Sequence, residues 1–394
     1  MDESKSSSSQ APSHLETVQA IAAETAGPAA DGVDREARFP REAIDALKKA
    51  RMMSAFVPMD RGGFGTGMVE LAAMCEALAQ QCASAAMVFA MHQIQVACIV
   101  RHGMKQPFFA SYVRDLVERQ NVIASVTSEV GVGGEMRTSL CGVEVQGDRF
   151  TLVKDASTIS YGEHADELLV TARRSRDAPS NDQVLVLIRR AEYKLDRTGA
   201  WDTLGMRGTC SPPFKVTSSG HADQILGHPF ADIASHTMVP FSHILWASCW
   251  LGIATSAVAR ARAFVRSQAR AKPGTVPPTA LRLAEASSML QNMRTNVHDV
   301  ASECEELMKS NQGTEALSSI AFALKMNNLK VSSSQLVVQI VNHALLICGI
   351  MGYKNDSKFA VGRHLRDAHS AALMVGNDRI FATNASMLLV LKDD

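Results

Sequence analysis

The chain has 394 residues, 46% of them hydrophobic, which is enough to fill a sizeable core and excludes a disordered protein. Lysine plus arginine and aspartate plus glutamate both number 40, so the net charge is zero and the balance favours neither nucleic acid nor an anionic membrane. Eight cysteines without a CxxC pair, most of them in apolar helical segments, predict free thiols in a reducing cytoplasm, and no metal site is expected.

Residues 1–14 are Ser-rich and polar, without the apolar stretch of a secretory signal, and are expected to be a disordered tail. Residues 15–120 read as a helical domain. Glu42 to Met52 carries apolar residues at Ile44, Leu47 and Ala50, and Val69 to Ala83 repeats them at Leu71, Met74, Cys75, Leu78 and Cys82. Between them, Val57 to Gly65 is a loop by its glycines and proline, with neither a preceding strand nor a Walker lysine to make it a phosphate site. Ala85 to Val100 is an apolar helix interrupted by His92 and Gln93. A histidine in such a place is more often a satisfied core residue than a catalyst, and the catalytic alternative stays open.

From residue 121 to 235 the period changes to that of strands. Val122 to Thr127 is followed by the glycine loop Ser128 to Gly134, the turn Gly147-Asp148 has strands on both sides, and Glu167 to Ala172 and Val184 to Ile188 add further strands. No crossover helices separate them, which predicts a small antiparallel barrel or sandwich rather than a dinucleotide fold. Residues 236–394 return to helical periodicity as a bundle, and the fold class is α+β, mostly α. Ile244 to Val258 is apolar but shorter than the roughly 20 residues a bilayer requires, so a buried core helix is expected. Arg260, Arg262, Arg266, Arg270 and Lys272 form a basic face. Near the C-terminus an apolar helix is expected to run to Val375, with Gly376 suited to ending it and Asn377 or Asp378 to capping the next.

Several blocks, taken in order, resemble the acyl-CoA dehydrogenase flavoproteins. Ser128 to Glu135 resembles that family's Thr-Glu-Pro-Gly-x-Gly-Ser-Asp loop, and Thr158, Ile159 and Ser160 fall on its Trp-Ile-Thr flavin motif. Trp201 to Gly208 resembles its Leu-Gly-x-Arg-Gly segment, Ala344 to Tyr353 its Gln-x-x-Gly-Gly-x-Gly segment, and Arg363 to Gly376 its arginine-aspartate helix and following glycine. The resemblance implies a helical domain, a β domain and a helical bundle, FAD as cofactor, a CoA- or carrier-bound thioester as substrate, and a homodimer or homotetramer. It implies cofactor contacts at Thr127, Ser128, Gly133, Gly134, Thr158, Ile159, Ser160, Gly349, Gly376 and Asn377, with Arg270, two residues past Gln268 at the family's register position, reaching across the subunit interface to the flavin. His92, Ser242, His243 and Val375 are implied to face the substrate. An isoalloxazine ring needs backbone or hydroxyl donors at its polar edge and flat apolar walls.

The family carries its catalytic glutamate just before that glycine, where this chain has Val375, and the alternative position near the start of the bundle holds Ser242. Thioester dehydrogenation needs a base within hydrogen-bond reach of Cα, which neither residue supplies. Three explanations remain open: another group such as His92, His243, His369 or Asp378 acts as base, the substrate needs little help, or reduced flavin reacts with O2 as in monooxygenases of the same fold. The expected function is an FAD-dependent oxidoreductase acting on an acyl or aryl thioester in specialised metabolism. The alternatives are a flavin-dependent oxygenase and a non-catalytic binding module.

Overall fold

The structure is a computed structural model that describes residues 12–310 and 313–391. Most of the expected tail, residues 1–11, lies outside the described residues. His14 is already helical: Ser13 accepts from the Glu16 amide while the Glu16 carboxylate accepts from the Ser13 amide at 2.7 Å. Helices α1 (His14–Ile21), α2 (Gly27–Glu36), α3 (Arg41–Lys49), α4 (Met68–Gln81), α5 (Ala83–Gly103) and α6 (Pro107–Arg119) form the first layer. α5 is apolar nearly all round, and such a helix must be covered on every side. It is buried along almost its whole length, packed on α4 and on the long α8 described below. By length and composition α5, the run from Phe230 to Ala271 and Ile320–Cys348 are each apolar enough to cross a membrane, but most of the first two is buried inside the protein.

The strands are β1 (Ile123–Val126), β2 (Glu144–Gln146), β3 (Arg149–Ala156), β4 (Glu167–Arg173), β5 (Gln183–Arg189), β6 (Tyr193–Arg197) and β7 (Phe214–His221). They form two open sheets, β1-β4-β5 and β2-β3-β7-β6, so of the expected antiparallel barrel or sandwich the barrel does not close. Nor is every pair antiparallel. β1 runs parallel to β4, Ile123 opposite Glu167, because the chain leaves for β2 and β3 in the other sheet before returning, a detour long enough for a parallel pairing. β3 alternates as a half-buried strand should, with Phe150, Leu152, Lys154 and Ala156 inward, whereas β4 and β5 are buried on both faces.

Helix resumes at α7 (Phe230–Ile233), inside the expected β segment, and a π-helical turn at Ala234–Met238 leads into α8 (Val239–Ala271). At 33 residues α8 is about 50 Å long. Together with α9 (Ala280–Lys309), α10 (Gly313–Leu317), α11 (Ile320–Cys348), α12 (Ile350–Tyr353), α13 (Gly362–His369) and α14 (Asn377–Leu388) it makes the bundle. α13 ties the three parts of the chain together. Arg366 pairs with Asp34, Arg363 with Asp31 at 3.0 Å, and the buried Asp367 accepts from the Met206 amide at 2.7 Å. Gly205 admits this contact, since a Cβ there would lie 2.1 Å from the Arg366 carbonyl oxygen. All eight cysteines are free, and all but Cys210 are buried.

Candidate functional site

α13 ends at His369, six residues before the expected stop at Val375, and turns fill the gap to α14. The Ser370 hydroxyl donates to the Asp367 carbonyl at 2.7 Å and the Leu373 amide to the Ser370 carbonyl at 3.0 Å, contacts that compete with further α-helix. The residue that reverses the chain is Val375, with φ +49°, while Gly376 adopts an ordinary negative φ as N-cap of α14. Val375 is 43% exposed and Leu373 80% exposed, so the break offers apolar side chains and no acid at position 375.

Facing elements bring the resembling loops together. The Ser128 hydroxyl donates to the Thr158 carbonyl at 2.6 Å and accepts from the Thr158 amide at 3.1 Å, joining the β1 exit to the segment after β3. Thr127 pairs its hydroxyl with Ser125 at 2.8 Å. Ile159 is buried below, and the half-exposed Ser160 accepts from Ser211 at 2.9 Å. The loop beyond Ser128 is anchored by the buried Glu129 carboxylate, which accepts from Ser139 Oγ at 2.7 Å and from the Leu140 and Cys141 amides at 3.1 and 2.7 Å. Lys154 approaches that carboxylate to 3.5 Å. Pinned at both ends, Gly131 to Gly134 bulges outward, and Arg379 from the first turn of α14 donates to the carbonyls of Gly133 and Gly134. The glycine loop, the Ser128–Thr158 pair and the break thus border one seam between the β segment and the bundle.

The seam fits the edge of a flavin. Position 158 offers an exposed hydroxyl and position 128 a half-buried one, and a Cβ placed on Gly133 or Gly376 would meet nothing within 4 Å. Ser128, Thr158, Ser160 and the glycine-loop backbone would hold such a group.

Other expected residues are placed differently. His92 is buried, with Nε2 2.7 Å from the Met53 carbonyl and Nδ1 accepting from the Ile123 amide at 3.0 Å, so both ring nitrogens are committed to the core. Burial pulls its pKa down to about 4. His243 is likewise buried, with Nδ1 3.1 Å from the Met326 carbonyl, its pKa brought to about 4 by burial, and neighbouring Ser242 is buried too. The Asn377 side chain turns away from the seam: its Oδ1 accepts from Lys330 at 2.7 Å and its Nδ2 donates to Ser334 at 3.0 Å. His369 and Asp378 are exposed at either end of the break. Arg270 is exposed and makes no ion pair among the described residues, and Gly349 caps α11 with φ +56°. No hydrogen bond among the described residues links Arg270 or Gly349 to the seam. Both sit toward one end of the bundle, where Arg260 donates to the Lys358 carbonyl and Phe264 packs on Phe359, beside exposed Leu346, Ile350 and Tyr353.

Sequence reasoning missed two residues of the site. Arg379 carries no signal in a first helical turn. Lys330 does: it lies in phase with Met326, Ser333, Ser334 and Val337 on the buried face of α11, where a charge is out of place.

Residues 11–107 match the family described as acyl-CoA dehydrogenase, N-terminal domain, and residues 244–379 the acyl-CoA dehydrogenase C-terminal domain, together more than half of the chain. The probable acyl-CoA dehydrogenase FadE25 of Mycobacterium tuberculosis is 23% identical over 369 residues, 92% of this chain and 91% of that protein. Among solved structures, butyryl-CoA dehydrogenase from Megasphaera elsdenii superposes with a TM-score of 0.81 at 19% identity, covering 95% of this chain and 97% of the other. The dibenzothiophene monooxygenase TdsC from Paenibacillus sp. A11-2 superposes with a TM-score of 0.79 at 20% identity, over 95% and 96% of the two chains.

Proposed function

The chain belongs to the acyl-CoA dehydrogenase family, and on that premise we propose that it is an FAD-dependent oxidoreductase acting on an acyl or aryl thioester, with a proton-transfer group other than residue 375. The observation that carries this reading is the seam where the Ser128–Thr158 pair and the Arg379-held glycine loop meet the α13–α14 break. A bound flavin supplies the two-electron acceptor. Ser128, Thr158 and Ser160 would hold its polar edge, and the exposed apolar side chains of Leu373 and Val375 would cover its face. The proton is left to a side chain open to solvent beside the break, which Asp378 and His369 are and the buried His92 and His243 are not. The eight free thiols support a reducing, cytoplasmic setting. Exposed Leu346, Ile350 and Tyr353 support pairing of subunits at the end of the bundle that carries Arg270 and Gly349.

The purified protein is expected to be yellow with about one flavin per chain, and anaerobic mixing with a panel of acyl and aryl thioesters to bleach the flavin absorbance. Val375→Glu, which returns a carboxylate to the break, should speed bleaching by simple acyl thioesters by at least ~100-fold, the scale of a general base. A colourless protein that cannot be reconstituted would sink the reading. The all-apolar stretch Leu373-Met374-Val375 favours one second reading, an oxygenase that needs no α-proton base. Incorporation of labelled O2 into product, without anaerobic bleaching by any thioester, would select it.

A further inference from the structure

Val375 stands in a conformation that a β-branched residue avoids. Its φ of +49° brings Cβ against its own backbone, and non-glycine residues pay for this region in strain, valine among the most. The residue that adopts it freely, Gly376, is the next in the chain and does not use it. Something must hold the valine there.

Lys330 reaches the break from α11. Its Nζ donates to the Val375 carbonyl at 2.8 Å and to Asn377 Oδ1 at 2.7 Å, and Asn377 is held in turn by Ser334. The lysine is fully buried, has no carboxylate within ion-pair distance among the described residues, and lies 5.9 Å from the centre of the Trp250 ring. Burial alone lowers its pKa to about 8, and His243 on α8 feels it as a like charge and is neutral above about pH 4. An unpaired buried ammonium is costly, and an apolar side chain of the same length would be cheaper for folding alone. A lysine that only filled space would therefore be replaceable by methionine without loss.

We propose that Lys330 is a positioning residue of the site: bonded to the Val375 carbonyl and to Asn377, it enforces the left-handed conformation at Val375 and so fixes which side chains the break presents to the flavin and substrate. The role rests on the flavin-site reading, although the clamp itself is testable without cofactor. Lys330 is buried and acts through its bonds to the break.

The test is a cycle of Lys330→Met, Val375→Gly and the double variant, with Asn377→Ala as an independent cut of the same clamp should Lys330→Met fold poorly. Hydrogen exchange of a peptide spanning 372–380 is read in cofactor-free protein, and the flavin dissociation constant by titration. Lys330→Met and Asn377→Ala are each expected to speed exchange and weaken flavin binding by about 10-fold, the scale of one left-handed residue's strain. In the Val375→Gly background, where that strain is gone, either change should cost no more than about 3-fold. Wild-type behaviour of Lys330→Met, or an undiminished loss in the glycine background, overturns the proposal. A chain that binds no flavin sinks the functional reading, while the exchange cycle still decides on the clamp.

Discussion

Substituting His92 separates a core histidine from a catalytic one, because the two roles move different observables. In the structure the imidazole joins Met53 and Ile123, two backbone groups that have no access to water at this position. His92→Ala orphans the Ile123 amide and leaves the Met53 carbonyl only its 3.2 Å bond from Gln93, so one lost partner at about 1–3 kcal/mol plus the cavity left behind predicts a loss of about 3 kcal/mol at pH 7. The pH profile adds a second signature. The unfolded chain takes up a proton on His92 below about 6.5, whereas the folded chain refuses it until about 4, so stability rises with pH across that window. Moving an imidazole from 6.5 to about 4 is worth ~3 kcal/mol, and His243 contributes a similar slope of its own. Urea unfolding between pH 4 and 8 should therefore show a steep acid limb in the wild type that His92→Asn makes shallower, with His102, His243 and His364, lowered in the same direction by burial, supplying the rest. The folded, flavin-loaded fraction of either variant should keep its turnover within about 3-fold. A variant with wild-type stability and acid limb but turnover reduced by ~100-fold or more would refute the core assignment and restore His92 as a base.

Glu167 titrates in the opposite sense. Burial raises its carboxyl to about 7, against the Tyr112 hydroxyl and the Asn121 amide that donate to it. Between about 4.5 and 7 the unfolded chain is ionised while the folded chain keeps its proton, so this group makes stability fall as pH rises. Glu167→Gln is expected to be more stable than the wild type by ~1–3 kcal/mol at pH 8 and no more stable at pH 4.5, and parallel unfolding profiles would rule this out. Arg379→Ala removes the two bonds that tie α14 to the glycine loop. Deuterium uptake should rise in a peptide covering 130–138 and stay constant in one covering 149–156, the paired strand β3; equal uptake in the first peptide would mean that Glu129 alone shapes the loop.

Long periodic segments were legible because burial is a property of a whole face. The apolar phase of α5, α8 and α11 announces helices that must be covered, and Gly147-Asp148 announces the hairpin between β2 and β3, where Gly147 has φ +60°. What composition and spacing could not give is the direction in which a polar side chain inside such a face points. His92 lies on an apolar helix whether it serves the core or a substrate, and only the approach of residues 53 and 123 from other elements decides between them. The β topology escaped for a related reason: no residue in β1 records that its partner β4 lies beyond two strands of another sheet. At the break the usual rule misleads, because it gives the left-handed place to a glycine where Val375 supplies it. Intrinsic preference assigns that conformation to the residue for which it is cheapest. A tertiary bond such as that from Lys330 can outweigh the difference of roughly 1–2 kcal/mol and move it one place along the chain. Departures of that kind are therefore best sought where a charged residue falls in phase with a buried helical face, since its bonding partner must be a backbone or side-chain group that the local sequence leaves unexplained.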